Sequence, residues 1–201
     1  MPVPVATTVV ITDANVLINF VHIGQVPLLG ELSAYRFQLP AEVLHELIDG
    51  DQRAQIEAAI AAHQLDLMVI EALDALALFG ELRDLMGHGE AACLAVAATT
   101  GCHLASDEKR CFRRKAIELI GEARIIRTED LLVEAIRCGK RTIAQADEYK
   151  AILAANRYAM PFSSFADRVC KGRSRQYPEE TTGRSRTHPS QEGPASSKCS
   201  P

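Results

Sequence analysis

Thr8-Val9-Val10-Ile11-Thr12-Asp13 is a run of β-branched residues that ends on an acid, and the chain changes period directly after it. Val, Ile and Thr are stiff at χ1 and fit a pleated surface better than a helix, so residues 8–12 are expected to form a strand. From residue 14 the apolar positions fall at Leu17, Phe20 and Val21, the spacing of a helix buried on one face. A strand that passes straight into a helix is how a parallel α/β sheet begins.

The same alternation continues outward. Tyr35–Leu39 reads as a second strand stopped by Pro40, which can open a helix carrying Val43, Leu44, Leu47 and Ile48. Helical spacing resumes at Ile56 and Ile60, and Leu65–Ile70 reads as another strand before a leucine-rich helix over 72–86. A helix of small apolar residues follows over Glu90–Thr99, then a short strand to Ala105, a basic helix over 109–120, a strand over Ala123–Arg127, and helices over 129–138 and 143–158. The expected fold is α/β, a three-layer α/β/α sandwich around a central, mainly parallel sheet.

Composition narrows the class. The chain has 201 residues, 47% hydrophobic and 24% charged, which suits one globular domain without disulfides or a structural metal. Residues 171–201 hold six Lys/Arg against three Glu, with almost no apolar side chains, so a disordered basic tail is expected after a domain over 1–170. The formal net charge of -4 argues against a polybasic binder. Asp13, Glu71 and Asp74 interrupt the apolar runs well short of the ~20 residues a span requires, and Met1–Thr12 lacks a basic leader. A cytoplasmic protein with no membrane partner is expected. Its six cysteines form no C-x-x-C pair and read as structural thiols.

In open parallel sheets, ligands bind beyond the carboxyl ends of the strands. Asp13 follows the first strand, with Asn15 two residues on; Ser106, Asp107 and Glu108 follow the strand ending at Ala105. Glu46, in the helix after the second strand, and Glu90, opening the helix before Ser106-Asp107, can be carried to the same edge. Converging carboxylates repel unless a cation relieves them, and an all-oxygen set suits Mg²⁺ or Mn²⁺. Such an ion can activate water and clamp a phosphodiester. Lys109-Arg110-Cys111-Phe112-Arg113-Arg114-Lys115 is the one dense basic stretch, and Arg110, Arg113 and Arg114 are candidates for phosphate contacts beside the acids.

Residues 11–18, 44–50, 87–97 and 104–110 (Ile11-Thr12-Asp13-Ala14-Asn15-Val16-Leu17-Ile18, Leu44-His45-Glu46-Leu47-Ile48-Asp49-Gly50, Gly87-His88-Gly89-Glu90 onward, and Leu104-Ala105-Ser106-Asp107-Glu108-Lys109-Arg110) together resemble the PIN-domain nuclease family. The resemblance is greatest to stand-alone prokaryotic PIN proteins such as the toxins of VapBC-type pairs. It implies a PIN-like sandwich and a Mg²⁺- or Mn²⁺-dependent endoribonuclease. The acids Asp13, Glu46, Glu90 and Asp107 would hold metal and act in catalysis, with Asn15, Ser106 and Glu108 supporting them. It also implies an RNA substrate, an antitoxin protein as partner, and a homodimer. The apolar positions Leu73, Leu76, Leu78, Phe79 and Leu82 exceed what one face beneath a sheet needs, in keeping with a dimer. The alternative is a catalytically silent PIN-fold module that binds RNA or protein. Glu42-x-x-His45 is half of a di-iron pattern whose second half is missing, and no glycine-rich phosphate loop follows a strand. No organic cofactor is expected.

Overall fold

The computed structural model describes residues 7–171, so the expected tail lies outside the described residues from 172 on. Strands β1 (Thr8–Thr12), β2 (Tyr35–Pro40), β3 (Asp66–Met68), β4 (His103–Ala105) and β5 (Ile125–Ile126) form one sheet in the order β3-β2-β1-β4-β5. Every pairing is parallel. The β-branched run therefore becomes the central strand, where Val10 faces Phe37 on one side and His103 on the other. Val10 and Ile11 are fully buried, as expected of a strand covered on both faces.

The helices are α1 (Ala14–His22), α2 (Val26–Glu31), α3 (Ala41–Glu46), α4 (Gly50–Ala61), α5 (Leu73–Leu82), α6 (His88–Thr100), α7 (Cys111–Ile120), α8 (Thr128–Arg137), α9 (Ile143–Ala155) and α10 (Phe165–Lys171). α6 lies across β1, β2 and β4, with α3, α5 and α7 packed against it. Ala91 to Ala97 are all buried, because small residues on every side let this helix sink between sheet and neighbours. α1 instead touches α2, α4, α8 and α9. Its Leu17 and Phe20 are fully buried, contributing roughly 1.5–3 kcal/mol each relative to exposure. The three-layer α/β/α sandwich expected from the sequence is the fold.

Several element ends differ from expectation for identifiable reasons. β3 stops at Met68, rather than Ile70, because its partner β2 ends at Pro40. The strand expected over 123–127 keeps only Ile125 and Ile126, since β4 offers just Leu104 and Ala105 to pair with; Glu122–Arg124 form a 3₁₀ turn instead. α9 ends at Ala155, and Arg157 just beyond it takes a left-handed backbone (φ 67°). α2 and α10 were not expected. α2 is six residues long with Pro27 in its first turn, too short to display a period. α10 straddles the composition boundary near residue 170, yet its Phe165 is fully buried.

β2 and β4 flank β1 on opposite sides, so the connections diverge there and leave a crevice beyond the carboxyl ends of β1 and β4. Among the described residues, no helix is long and apolar enough to cross a membrane.

Candidate active site

Asp13 closes β1 and caps α1. Its Oδ1 accepts from the Ala14 amide (2.8 Å), and its Oδ2 accepts from Asn15 Nδ2 (2.8 Å) and Ser106 Oγ (3.1 Å). The strand-end acid is thus also the N-cap that starts the helix, satisfying a donor the helix leaves open. Asp13 is only 2% exposed and has no cationic partner among the described residues. Burial, with further repulsion from Glu90 and Glu108, pushes its carboxyl up to about 7 despite those hydrogen bonds.

Two acids, Glu90 and Glu108, stand near enough to act on it, and a third, Glu46, acts on Glu90. Asn15 Nδ2 donates to Glu108 Oε1 (3.1 Å) as well as to Asp13, so one amide links the two carboxylates. The Glu108 amide donates to Ser106 Oγ (3.2 Å), which fixes the turn after β4. Glu90, in the first turn of α6, accepts from the Gly87 amide (3.2 Å) through Oε2, and burial followed by Glu108 and Glu46 raises its carboxyl. Glu46, the last residue of α3, accepts from the Gly89 amide (2.8 Å) through Oε1. A Cβ at Gly89 would lie 3.1 Å from Glu46 Cδ and 3.3 Å from Val43 Cγ2, so the missing side chain is what lets α3 and α6 bring Glu46 beside Glu90.

Asp107 belongs to a different arrangement. Its Oδ1 accepts from the Thr128 amide (3.0 Å) and Tyr158 OH (2.5 Å), and its Oδ2 accepts from Asn19 Nδ2 (2.9 Å) and Thr128 Oγ1 (2.5 Å). Three donors of its own and the single Tyr158 proton, shared with Glu129, take up most of this carboxylate's acceptor sites. Arg127 lies 3.8 Å away and pairs with buried Glu129 at 2.7 Å, and Tyr158 OH also bonds Glu129. The side chain expected to complete the metal set instead ties the start of α8 and the segment after α9 to the end of β4. Its neighbour Glu108 stands with Asp13, Glu46 and Glu90. Sequence reading passed over Asn19, Thr128, Glu129 and Tyr158. Thr128 and Glu129 directly follow β5, so the strand-end rule applied to that strand would have flagged them.

Two of these acids, Glu90 and Glu108, line a cleft of about 540 Å³ together with Lys109, Arg110, Arg114 and Lys115, among others. Arg110 and Arg114, two of the expected phosphate contacts, line it; Arg113 pairs with Glu122 (2.7 Å) instead. Glu42 sits in the first turn of α3, with Oε2 buried and without a donor among the described residues, and His45 is exposed.

A family model described as a PIN domain matches residues 9–149, most of the chain and the whole of this acidic edge. The chain belongs to the PIN-domain family. No curated protein and no solved structure matches it. PIN domains are generally nucleases, hydrolases of phosphodiester bonds, and typically use divalent metals. Whether this PIN domain's residues suit such an ion can be judged from its donors. Among the described residues, no group of three His, Cys, Asp or Glu side chains is drawn together closely enough to hold an ion. Glu46 Oε2, Glu90 Oε1 and Glu108 Oε2 nevertheless accept no hydrogen bond, and none of the four acids is ion-paired, again among the described residues. Free hard oxygens around a buried, charge-starved carboxyl fit an ion that binds a few carboxylates and keeps several waters.

Proposed function

We propose that this PIN domain is a Mg²⁺- or Mn²⁺-dependent endoribonuclease in which Asp13, Glu46, Glu90 and Glu108 hold the metal. The observation that carries the reading is mutual repulsion without a counter-charge. Burial raises both Asp13 and Glu90, and the neighbouring acids add to it, Glu90 and Glu108 at Asp13 and Glu108 and Glu46 at Glu90. Asp107, by contrast, has the Arg127 guanidinium beside it. A divalent ion held there would supply an acidified water and charge stabilisation for in-line hydrolysis, in which the water oxygen would bond to phosphorus as the P–O bond to the departing sugar oxygen breaks.

The chain's own residues set up the rest. Asn15 and Ser106 hold Asp13 Oδ2 in one orientation, and Asn15 ties Glu108 to it. Asp107 acts as a positioning residue, fixing the turn from which Glu108 projects. Arg110 and Arg114 hold backbone phosphates in the adjoining cleft, orienting the strand without reading its sequence. Incubating the purified protein with mixed RNA tests this. Fragments should accumulate with Mn²⁺ or Mg²⁺ and stop with a chelator, whereas cleavage unaffected by chelation would defeat the reading.

Two wider proposals rest on the likeness to VapBC-type toxins: that the protein is the toxin of such a pair with an antitoxin partner, and that it self-associates. The second has physical support, since Leu73 is 85% exposed and Val69 63%, while Leu76 is also exposed. Leu78 and Phe79 are half-buried and Leu82 is buried, so the free apolar surface is smaller than the sequence suggested. Sedimentation at micromolar concentration should give a particle of twice the 21.9 kDa chain mass. A single-chain mass throughout would exclude the dimer.

A further inference from the structure

A second cleft, of about 340 Å³, opens on the other flank of Glu108. It shares only Glu108 and Lys109 with the first; its other walls are Asp107 (whose oxygens are taken up by Asn19, Thr128 and Tyr158), residues of α1 and residues after α9, among them Asn15, His22 and Arg157. The first cleft is built from the ends of α5, α6 and α7, so the two lie toward opposite helix layers, with Glu108-Lys109 as the ridge between them.

Three observations set this second cleft apart. Lys109 and Arg157 make no ion pair among the described residues. His22 Nδ1 is buried with no hydrogen-bond partner. Arg157 holds a left-handed backbone (φ 67°) at a helix end where glycine is the unstrained choice. Arg110, in the first cleft, likewise has positive φ (55°). Among the described residues, two of the three non-glycine residues with positive φ are therefore arginines, one in each cleft beside the acids. Strained residues of this kind persist where the side chain is wanted at that place.

We propose that the cleft of His22, Lys109 and Arg157 is a second phosphate subsite, and that one RNA strand occupies both clefts with the acids beneath the linkage between them. This rests on the ribonuclease reading and deepens it. With a phosphate held on each side of the acids, the substrate is an internal linkage of a single strand rather than a terminal nucleotide.

Binding separates the subsite from the chemistry. Affinity for a labelled RNA of about 12 nucleotides is measured in EDTA over a salt series, so that cleavage does not intervene. Arg157→Gly should bind about tenfold more weakly, with a log–log salt slope smaller by about one, and should melt at the same temperature as the parent or higher, because glycine suits that backbone. Arg36→Gln, which removes a charge beside Asp66 at the far side of the sheet, should leave the slope unchanged. Arg157→Gly binding as tightly as the parent, or a parent with no salt-dependent affinity, overturns the subsite. Failure of the parent to cleave RNA with added Mn²⁺ overturns the nuclease reading instead, and leaves the binding comparison standing.

Discussion

Asp13→Asn is expected to abolish RNA cleavage and, in the absence of metal, to make the protein gain stability relative to the parent as pH rises. The two effects have one cause. In the parent, burial lifts the Asp13 carboxyl from its ordinary 3.8 to about 7. An acid raised in the folded state stabilises the fold fully below its unfolded value, and that contribution is lost as pH climbs through the folded value. The metal-free parent therefore forfeits up to roughly 4 kcal/mol between about pH 4 and pH 8 on account of this one group. Asn cannot ionise and escapes the loss. Its amide must still face Asn15 Nδ2 and Ser106 Oγ, both donors to Asp13 now, so at pH 4 the variant should be the less stable protein. Melting curves at pH 4 and pH 8 should show the difference moving in the variant's favour by about 10 °C. Cleavage should fall on the order of 10³-fold, the scale of a lost metal ligand. A pH-independent stability difference would mean that Asp13 carries no buried charge.

Asp107→Asn and Glu108→Gln should part company, although the two residues are adjacent. Asp107 accepts from Asn19, twice from Thr128, and from Tyr158, all buried or nearly so. An amide there sets an NH₂ against donors and removes the charge beside Arg127, so unfolding should come about 3 kcal/mol more easily. Glu108 has one side-chain bond, from Asn15, and an oxygen without a donor among the described residues. Glu108→Gln should keep the parent's melting temperature and lose about 10²-fold or more in kcat. A full thermal and kinetic profile on both variants decides the matter. An Asp107→Asn protein that is stable but inactive would return Asp107 to the metal site, and a fully active Glu108→Gln protein would exclude Glu108.

How much of this was legible depends on whether the determinant is local. Val9 to Thr12 had to be a strand and Asp13 its polar stop, because β-branching and a helix N-cap act within a few residues. The buried character of residues 91–97 was equally plain, since a run of small apolar side chains has no polar face to show water. Those signals were enough for an α/β sandwich with Asp13 at its edge, and the order of four short motifs was enough for the family. Strand lengths were less readable, because β3 and β5 stop where their partners stop.

The acid after β4 could not be chosen from sequence alone. Asp107 and Glu108 are adjacent acids, and nothing within the turn says which points outward. The choice falls to Thr128 and Tyr158, distant in the chain, which bring donors to Asp107 and leave Glu108 to the crevice. Gly89 makes the same point, because its value lies in a contact with Glu46 on another helix. Residue type and local period determined the elements, the family and where the chemistry had to be. Only packing between distant segments decided which carboxylate is satisfied internally and which keeps a free oxygen, because a buried hydrogen bond needs both partners in place and sequence supplies one at a time.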